Sequence, residues 1–314
     1  MSKRTLLSFH GNGILGLDQM EDDFNIIKLF EEKDPEAAIQ AHKNDVVAIN
    51  CTVGHFITDK IISSLPNLEI ISTFSVGFDH IDLQSAKKHD VKVTNTPDVL
   101  CAETADTGMT LLLAVAKRAV EGDVYIRVGK WLNGDMPLGV SVTNKKVGIV
   151  GLGGIGSMVA KRCAAFDMQV SYYGPRKKPE YDYPYYDDIQ AIARDNDYLI
   201  LCCPGGDATH NLVDANVLDA LGSEGILINI ARGSVVDEPA LIHALENKVI
   251  KAAGLDVFPN EPHVNEALIS MDNVVLLPHI GSATIETRKA MGQLIIDNIK
   301  AHFAGNDLLT PVTL

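Results

Sequence analysis

Short β-branched runs alternate with stretches of helical periodicity along the chain. In the first third, residues 5–9, 45–50, 68–73 and 91–95 read as strands, with helices at 22–32 and 58–64 between them. Such alternation predicts βαβ units on a parallel sheet, an α/β fold. Pro97 interrupts the series. Residues 99–118 then read as one long helix with Leu100, Ala105, Gly108, Met109 and Leu112 near one stripe. Residues 122–144, which hold the only tryptophan, Trp131, are irregular and read as an excursion outside the sheet. From Lys146 a second series begins, with strands at 146–150, 169–173, 198–203, 225–230, 251–257 and 273–277. Six strands alternating with helices fit a doubly wound Rossmann domain. A final helix at 284–303 carries Met291, Leu294, Ile295 and Ile299 on one face.

The chain has 314 residues, enough for about two domains. Its formal net charge is −14. That balance argues against nucleic acid and anionic membranes as partners. No apolar run approaches the roughly 20 residues that cross a bilayer. The apolar stretch behind Lys3 and Arg4 stops at His10-Gly11, short of a secretory signal. The five cysteines are an odd number without metal-type spacing. They read as reduced core thiols of a cytoplasmic protein, with no metal site expected.

The sharpest local signal is Gly151-Leu152-Gly153-Gly154-Ile155-Gly156, which follows an apolar strand and opens a helix. Gly151 permits the tight turn, Gly153 lets backbone approach a pyrophosphate, and Gly156 lets helix and strand pack closely. Helix-terminal N–H groups then face the phosphates. About 20 residues on, an NAD site carries Asp or Glu for the ribose 2′-hydroxyl. Here the sequence runs Tyr173-Gly174-Pro175-Arg176-Lys177-Lys178. A carboxylate would repel a 2′-phosphate, whereas Arg176, with Lys177 beside it, can bind one. The expected cofactor is therefore NADPH in preference to NADH. A solvated basic loop is the plainer alternative.

Arg232, Glu261 and His279 each lie at or just past the carboxyl end of an apolar strand, separated by 29 and 18 residues. Ligands of open α/β sheets bind beyond those ends. A 2-keto acid substrate gives each a task. Arg232 clamps the carboxylate or keto oxygen through its planar fork. His279 donates a proton to that oxygen as hydride arrives. Glu261 holds the imidazole in place. Singly, each residue reads as an ordinary surface or capping residue; their shared position on a dinucleotide fold raises all three.

An ordered set of motifs carries a family resemblance over nearly the whole chain. It comprises Phe74-Ser75-Val76-Gly77-Phe78-Asp79-His80-Ile81-Asp82, Thr94-Asn95-Thr96-Pro97, the 151–156 loop and Asn229-Ile230-Ala231-Arg232-Gly233. Gly254-Leu255-Asp256-Val257-Phe258 through Glu261-Pro262, and Pro278-His279-Ile280-Gly281-Ser282-Ala283, complete it. The chain resembles the D-isomer-specific 2-hydroxyacid dehydrogenases. Within them it looks most like the NADPH-dependent glyoxylate/hydroxypyruvate reductases and the hydroxyphenylpyruvate reductases. The resemblance implies a discontinuous flavodoxin-like substrate domain (1–98 and 287–314) and an NADP-binding Rossmann domain (99–286), with a hinged cleft between them. It also implies that Val76 and Gly77 N–H groups hold the substrate carboxylate, with Arg232 and His279 completing the substrate site. Gly154 and Ile155 would contact pyrophosphate. Cys203, Ile230, Ala231, Arg232, Asp256, His279 and Gly281 would line the dinucleotide. A homodimer built through residues 100–140 is implied too, and Trp131, the tryptophan of that segment, is a candidate for its interface. Two departures stand out: Gly174 replaces the acid of NAD-dependent members, and Gly154 follows Gly153 where many members carry a bulky or basic residue. Reduction of glyoxylate and hydroxypyruvate is the leading expectation. Reduction of aryl pyruvates, a dinucleotide-sensing corepressor on the same fold, and a Rossmann enzyme using an adenosyl-type cofactor are the alternatives.

Overall fold

The computed structural model describes residues 3–10 and 17–313. Its contacts divide the chain into two compact units, Met1–Leu100 with Ser282–Leu314, and Cys101–Gly281. The breaks fall ahead of whole helices, at 100/101 and 281/282. A helix is one cooperative hydrogen-bonded body, so a boundary does not divide its first turn.

The first unit is built on a five-stranded parallel sheet. Its strands are β1 (Arg4–Ser8), β2 (Phe24–Lys28), β3 (Val46–Cys51), β4 (Ile70–Thr73) and β5 (Lys92–Thr94). Their order, β2-β1-β3-β4-β5, is that of flavodoxin-like sheets. Helices α1 (Pro35–His42), α2 (Asp59–Ser64) and α3 (Leu83–Lys88) form the crossovers. Residues 22–32, read from sequence as a helix, form strand β2 and a short 3-10 turn instead. The apolar residues Phe24, Ile27 and Phe30 recur at helical spacing. Pairing of all five β2 residues with β1 overrides that local signal. The helix lies just downstream, where Asp34 caps α1 and Pro35 occupies its first turn.

The second unit opens with α4 (Cys101–Lys117) and α5 (Ala119–Arg127). Residues 122–144 are thus partly helical, and Trp131 sits on a 3-10 turn at Lys130–Asn133. A seven-stranded parallel sheet follows, one strand more than expected. Its elements are β6 (Lys146–Val150), α6 (Gly154–Ala165), β7 (Gln169–Tyr173), β8 (Tyr185–Tyr186), α7 (Ile189–Asp195) and β9 (Tyr198–Leu201). Then come α8 (Ala215–Leu221), β10 (Ile226–Asn229), α9 (Glu238–Glu246), β11 (Ala252–Leu255), α10 (Glu266–Ser270) and β12 (Val274–Leu276). The extra strand, β8, is a two-residue edge pairing with β7, too short to show as periodicity.

The order β12-β11-β10-β9-β6-β7-β8 is the doubly wound pattern, reversing direction between β6 and β9. Strands buried on both faces explain the continuous apolar runs. Ile226 and Ile228 face the core beneath α4 and α6, while Leu227 faces the other core with Val217 and Leu241. Each such side chain contributes roughly 1.5–3 kcal/mol on burial. A slip of one residue would exchange the two sets, so the carboxyl ends of the strands are fixed in space. Helix α11 (Ile285–Phe303), capped by Thr284, returns to the first unit and buries Met291, Ile295 and Ile299.

Candidate functional site

Between β6 and α6 the glycine turn has the shape its spacing requires. Gly151 has φ +93°, and a Cβ there would stand 2.7 Å from the Cα of Cys203. At Gly156 a Cβ would come within 2.0 Å of the Gly151 carbonyl oxygen, which is how closely helix and turn approach. At Gly153 a Cβ would meet nothing within 4 Å. Asp, Asn or Thr side chains cap α1, α3 and α7 to α11, but Gly153 caps α6 with no side-chain bond. The first N–H groups of α6, from Gly154 and Ile155 onward, are left to an external acceptor. Open space at Gly153 before an uncapped helix end, at the sheet's switch point, fits a dinucleotide pyrophosphate.

Residues 174–178 form a tethered loop. The Tyr172 hydroxyl accepts from the Lys178 N–H at 2.7 Å, and the Tyr185 hydroxyl donates to the Gly174 carbonyl at 3.0 Å. Lys178 Nζ donates to the Leu152 carbonyl at 2.6 Å, tying this loop to the glycine turn. Arg176 and Lys177 are exposed and form no ion pair with another described residue.

The remaining residues expected at the site follow β9 to β12. Cys203, Ile230, Ala231 and Asp256 are buried. Asn229 bends the chain after β10: its Oδ1 accepts from the Ala231 N–H and its Nδ2 donates to the Arg232 carbonyl, each at 3.0 Å. This side-chain clasp turns Arg232 out of the sheet. Sequence reasoning quoted Asn229 without a role. A buried Asn at a strand end followed by Arg-Gly is the signal that could have revealed one.

His279 has φ +53°, in the left-handed region. A β-carbon there is strained, by about 1–3 kcal/mol. Asp256 holds the segment, its two oxygens accepting from the Ile280 N–H at 2.7 Å and the Gly281 N–H at 2.9 Å. Burial pushes the Asp256 carboxyl up to about 6, although those N–H groups and His279 pull the other way. His279 Nδ1 lies 2.6 Å from Oε2 of Glu261, whose Oε1 accepts from the Phe258 N–H at 2.9 Å. Burial opposes the Glu261 charge, yet the His279 contact, the Phe258 N–H and the Arg232 charge hold its pKa below the usual value. An ionised Glu261 can only accept, so Nδ1 carries the proton and donates it to this bond. Nε2 has no bond to another described residue. The imidazole and carboxylate side chains are 30% and 32% exposed. One edge of this pair is locked and the other open to a reactant. Arg232, Glu261 and His279 thus belong to one unit with the glycine turn, at the same edge of its sheet.

Val76 and Gly77 lie in the first unit, after β4. The Ser75 carbonyl accepts from the Thr96 N–H at 2.9 Å, and the Val76 carbonyl from Asn95 Nδ2 at 2.8 Å. The Gly77 carbonyl accepts from Ser75 Oγ at 2.6 Å. In a trans peptide the N–H points opposite to the carbonyl. The pinned carbonyls therefore turn the Val76 and Gly77 N–H groups to the other side, as two adjacent donors able to meet an anion. Asn95 is itself held by the C-terminal tail, since its carbonyl accepts from Thr310 Oγ1 at 2.7 Å. Buried Asn298 on α11 binds Thr310 in turn. Sequence reasoning missed this clasp because it joins three segments far apart in the chain.

No helix among the described residues is long and apolar enough to cross a membrane. No group of three or more His, Cys, Asp or Glu side chains among them could hold a metal ion. The cysteines Cys51, Cys101, Cys163, Cys202 and Cys203 are all free.

Comparison with known proteins identifies the family. A family model described as the NAD binding domain of D-isomer specific 2-hydroxyacid dehydrogenases matches residues 109–281. A glyoxylate/hydroxypyruvate reductase of Arabidopsis thaliana is 45% identical over 295 residues, covering 94% of each chain. A hydroxyphenylpyruvate reductase of Plectranthus scutellarioides is 47% identical over 275 residues, covering 88% of this chain and 87% of its own. Among solved structures, an NADPH-dependent glyoxylate/hydroxypyruvate reductase from Sinorhizobium meliloti, in complex with NADP and malonate, superposes with a TM-score of 0.91. It is 37% identical and matches over 99% of this chain and 97% of its own.

Proposed function

Because this chain belongs to the D-isomer-specific 2-hydroxyacid dehydrogenases, a family of oxidoreductases, we propose that it reduces small 2-keto acids, glyoxylate and hydroxypyruvate, with NADPH. The observation that carries this reading is the 2.6 Å His279–Glu261 bond at the sheet edge that also bears the glycine turn. When bound, a nicotinamide would supply hydride to the keto carbon. The Val76 and Gly77 N–H groups take the substrate carboxylate. Arg232 orients and polarises the keto oxygen. His279 passes the proton on Nε2 to that oxygen as it gains charge, leaving a 2-hydroxy acid and a neutral imidazole. Glu261 fixes the ring so that Nε2 faces the substrate. In the oxidative direction neutral His279 takes the hydroxyl proton. Gly151, Gly153, Gly154, Ile155 and Gly156 would cradle the pyrophosphate, while Cys203, Ile230, Ala231, Asp256 and Gly281 would line the rest of the dinucleotide.

Preference for NADPH rests on Gly174 in place of an acid and on the tethered loop that leaves Arg176 and Lys177 free for a 2′-phosphate. A homodimer is supported by exposed Val124, Ile126, Trp131 and Leu132 around α5. It is also supported by an apolar cavity of about 320 Å³ bounded by Val120, Val124, Leu138 and Val140. This cavity lies at the amino ends of β10, β11 and β12, the sheet edge opposite the catalytic candidates. Five free thiols fit a reducing, cytoplasmic setting. Similarity to the Plectranthus enzyme keeps hydroxyphenylpyruvate as the second substrate class.

The test is NADPH oxidation with glyoxylate, hydroxypyruvate, pyruvate and hydroxyphenylpyruvate, each repeated with NADH. His279→Ala should lower kcat/KM by about 10²–10⁴-fold while NADPH still binds. Near-normal activity in that variant would overturn the proton-donor role. Tight NADPH binding without oxidation by any keto acid would instead support a dinucleotide sensor.

A further inference from the structure

Arg288 occupies the first turn of α11, fixed there by the Thr284 cap and by its own N–H bond to the Thr284 carbonyl at 2.9 Å. A cation in that turn opposes the helix dipole. Its guanidinium carbon stands 5.3 Å from the centre of the Phe74 ring. Phe74 immediately precedes Ser75, next to the Val76 and Gly77 donors. Burial pushes the Arg288 pKa down, and neither an ion pair nor a guanidinium hydrogen bond joins it to another described residue. Two imidazoles share the neighbourhood. The His10 and His55 rings are 6.1 Å apart, and His55 Nδ1 is buried with no hydrogen-bond partner. Burial, then the His55 and Arg288 charges, depress the His10 pKa, and no carboxylate offsets them. Three groups able to carry positive charge are thus gathered with no counter-ion among the described residues, in a chain whose net charge is −14. Left alone, such a cluster holds His10 toward its neutral form, and an anion drawn to Arg288 would favour the protonated imidazoles instead.

We propose that Arg288, with His10 and His55, forms a second anion subsite in the first unit that takes the distal carboxylate of a dianionic 2-keto acid. The proposal rests on the reading that the Val76 and Gly77 N–H groups hold the carboxylate next to the keto carbon. The chemical class selected is a short 2-keto acid with a carboxylate at each end. Arg288 supplies a planar two-donor fork matched to a carboxylate, and the imidazoles add donors and charge when protonated.

Matched substrates isolate the effect. 2-Oxomalonate and hydroxypyruvate differ only in a carboxylate against a hydroxymethyl tail, as do oxaloacetate and 2-oxobutyrate in a carboxylate against a methyl. In the wild-type enzyme, KM for one dianion should lie at least about tenfold below that of its neutral-tailed match. Arg288→Gln should raise that dianion's KM by about tenfold or more with little change in its kcat, and Arg288→Lys should retain part of the preference. NADPH affinity and thermal melting of the variants report whether they remain folded. If Arg288→Gln does not fold, Arg288→Lys and His55→Gln carry the same comparison. An unchanged ratio of dianion to neutral-tailed KM, within twofold across the folded variants, overturns the proposal. So does a wild-type preference for a neutral polyhydroxylated tail. If no keto acid is reduced at all, the reductase reading fails separately, and calorimetric titration with malonate decides the subsite. Heat present in the wild type and lost in Arg288→Gln supports it, and equal or absent heat in both rejects it.

Discussion

Two one-methyl substitutions three residues apart, Gly153→Ala and Gly156→Ala, separate a glycine kept for a ligand from one kept for the fold. At Gly156 the new Cβ would stand 2.0 Å from a backbone oxygen. Ordinary contact is about 3.5 Å, so α6 must retreat by about 1.5 Å from a turn fixed at Gly151. Overpacking of this kind costs roughly 1–3 kcal/mol. At about 2–4 °C per kcal/mol for a domain near this size, melting should fall by roughly 2–12 °C. At Gly153 the Cβ meets nothing within 4 Å, and the backbone, φ −86° and ψ −157°, suits any L-residue. Gly153→Ala should therefore melt at or slightly above the parent, because the unfolded chain loses freedom. Its Cβ nevertheless enters the open space proposed for pyrophosphate. NADPH Kd should rise at least about tenfold, a loss of about 1.4 kcal/mol. Calorimetric melting without cofactor and fluorescence titration with NADPH read the two quantities separately. A Gly153→Ala protein that melts normally and binds NADPH within twofold of the parent would refute the pyrophosphate assignment.

Arg176→Gln should raise KM for NADPH by about tenfold while KM for NADH changes little; equal changes, read from initial rates, would remove Arg176 from the 2′-phosphate site. Glu261 is held below its ordinary pKa, so its contribution is fully present above the unfolded value near 4.3 and is lost as pH falls through the lower folded value. Melting temperature should accordingly decline below about pH 4.5, and Glu261→Gln should flatten part of that decline; parallel curves for the two proteins would count against the linkage. Asn95→Ala frees the Val76 carbonyl and should raise the KM for hydroxypyruvate several-fold with NADPH affinity unchanged, as steady-state kinetics and cofactor titration would show.

What the sequence displayed well was chemistry attached to strand ends. The run from Ile226 to Ile230 reads as a doubly buried strand, which places Arg232 just past its carboxyl end. The same holds for His279 after β12, whereas Asp256, inside the run read as a strand at 251–257, came forward only through the family resemblance. The glycine turn was legible because its three positions obey separate steric demands, two of them visible as near-contacts at Gly151 and Gly156. Where tertiary pairing decides, local pattern failed. Residues 24–28 carry helical spacing, yet β1 offers an unpaired edge, and five ladder residues outweigh a weak helix. The two residues of β8 form a strand only because β7 lies beside them. Side-chain clasps were illegible for a related reason. Asn95, Asn298 and Thr310 are separated by up to 215 positions and act only once α11 has returned to the first sheet. Residues that hold peptide planes rather than substrate carry no sequence spacing of their own. The C-terminal tail should consequently matter to catalysis if the Gly77 N–H meets substrate, because the Val76 carbonyl of that peptide is held by Asn95, and Asn95 by Thr310.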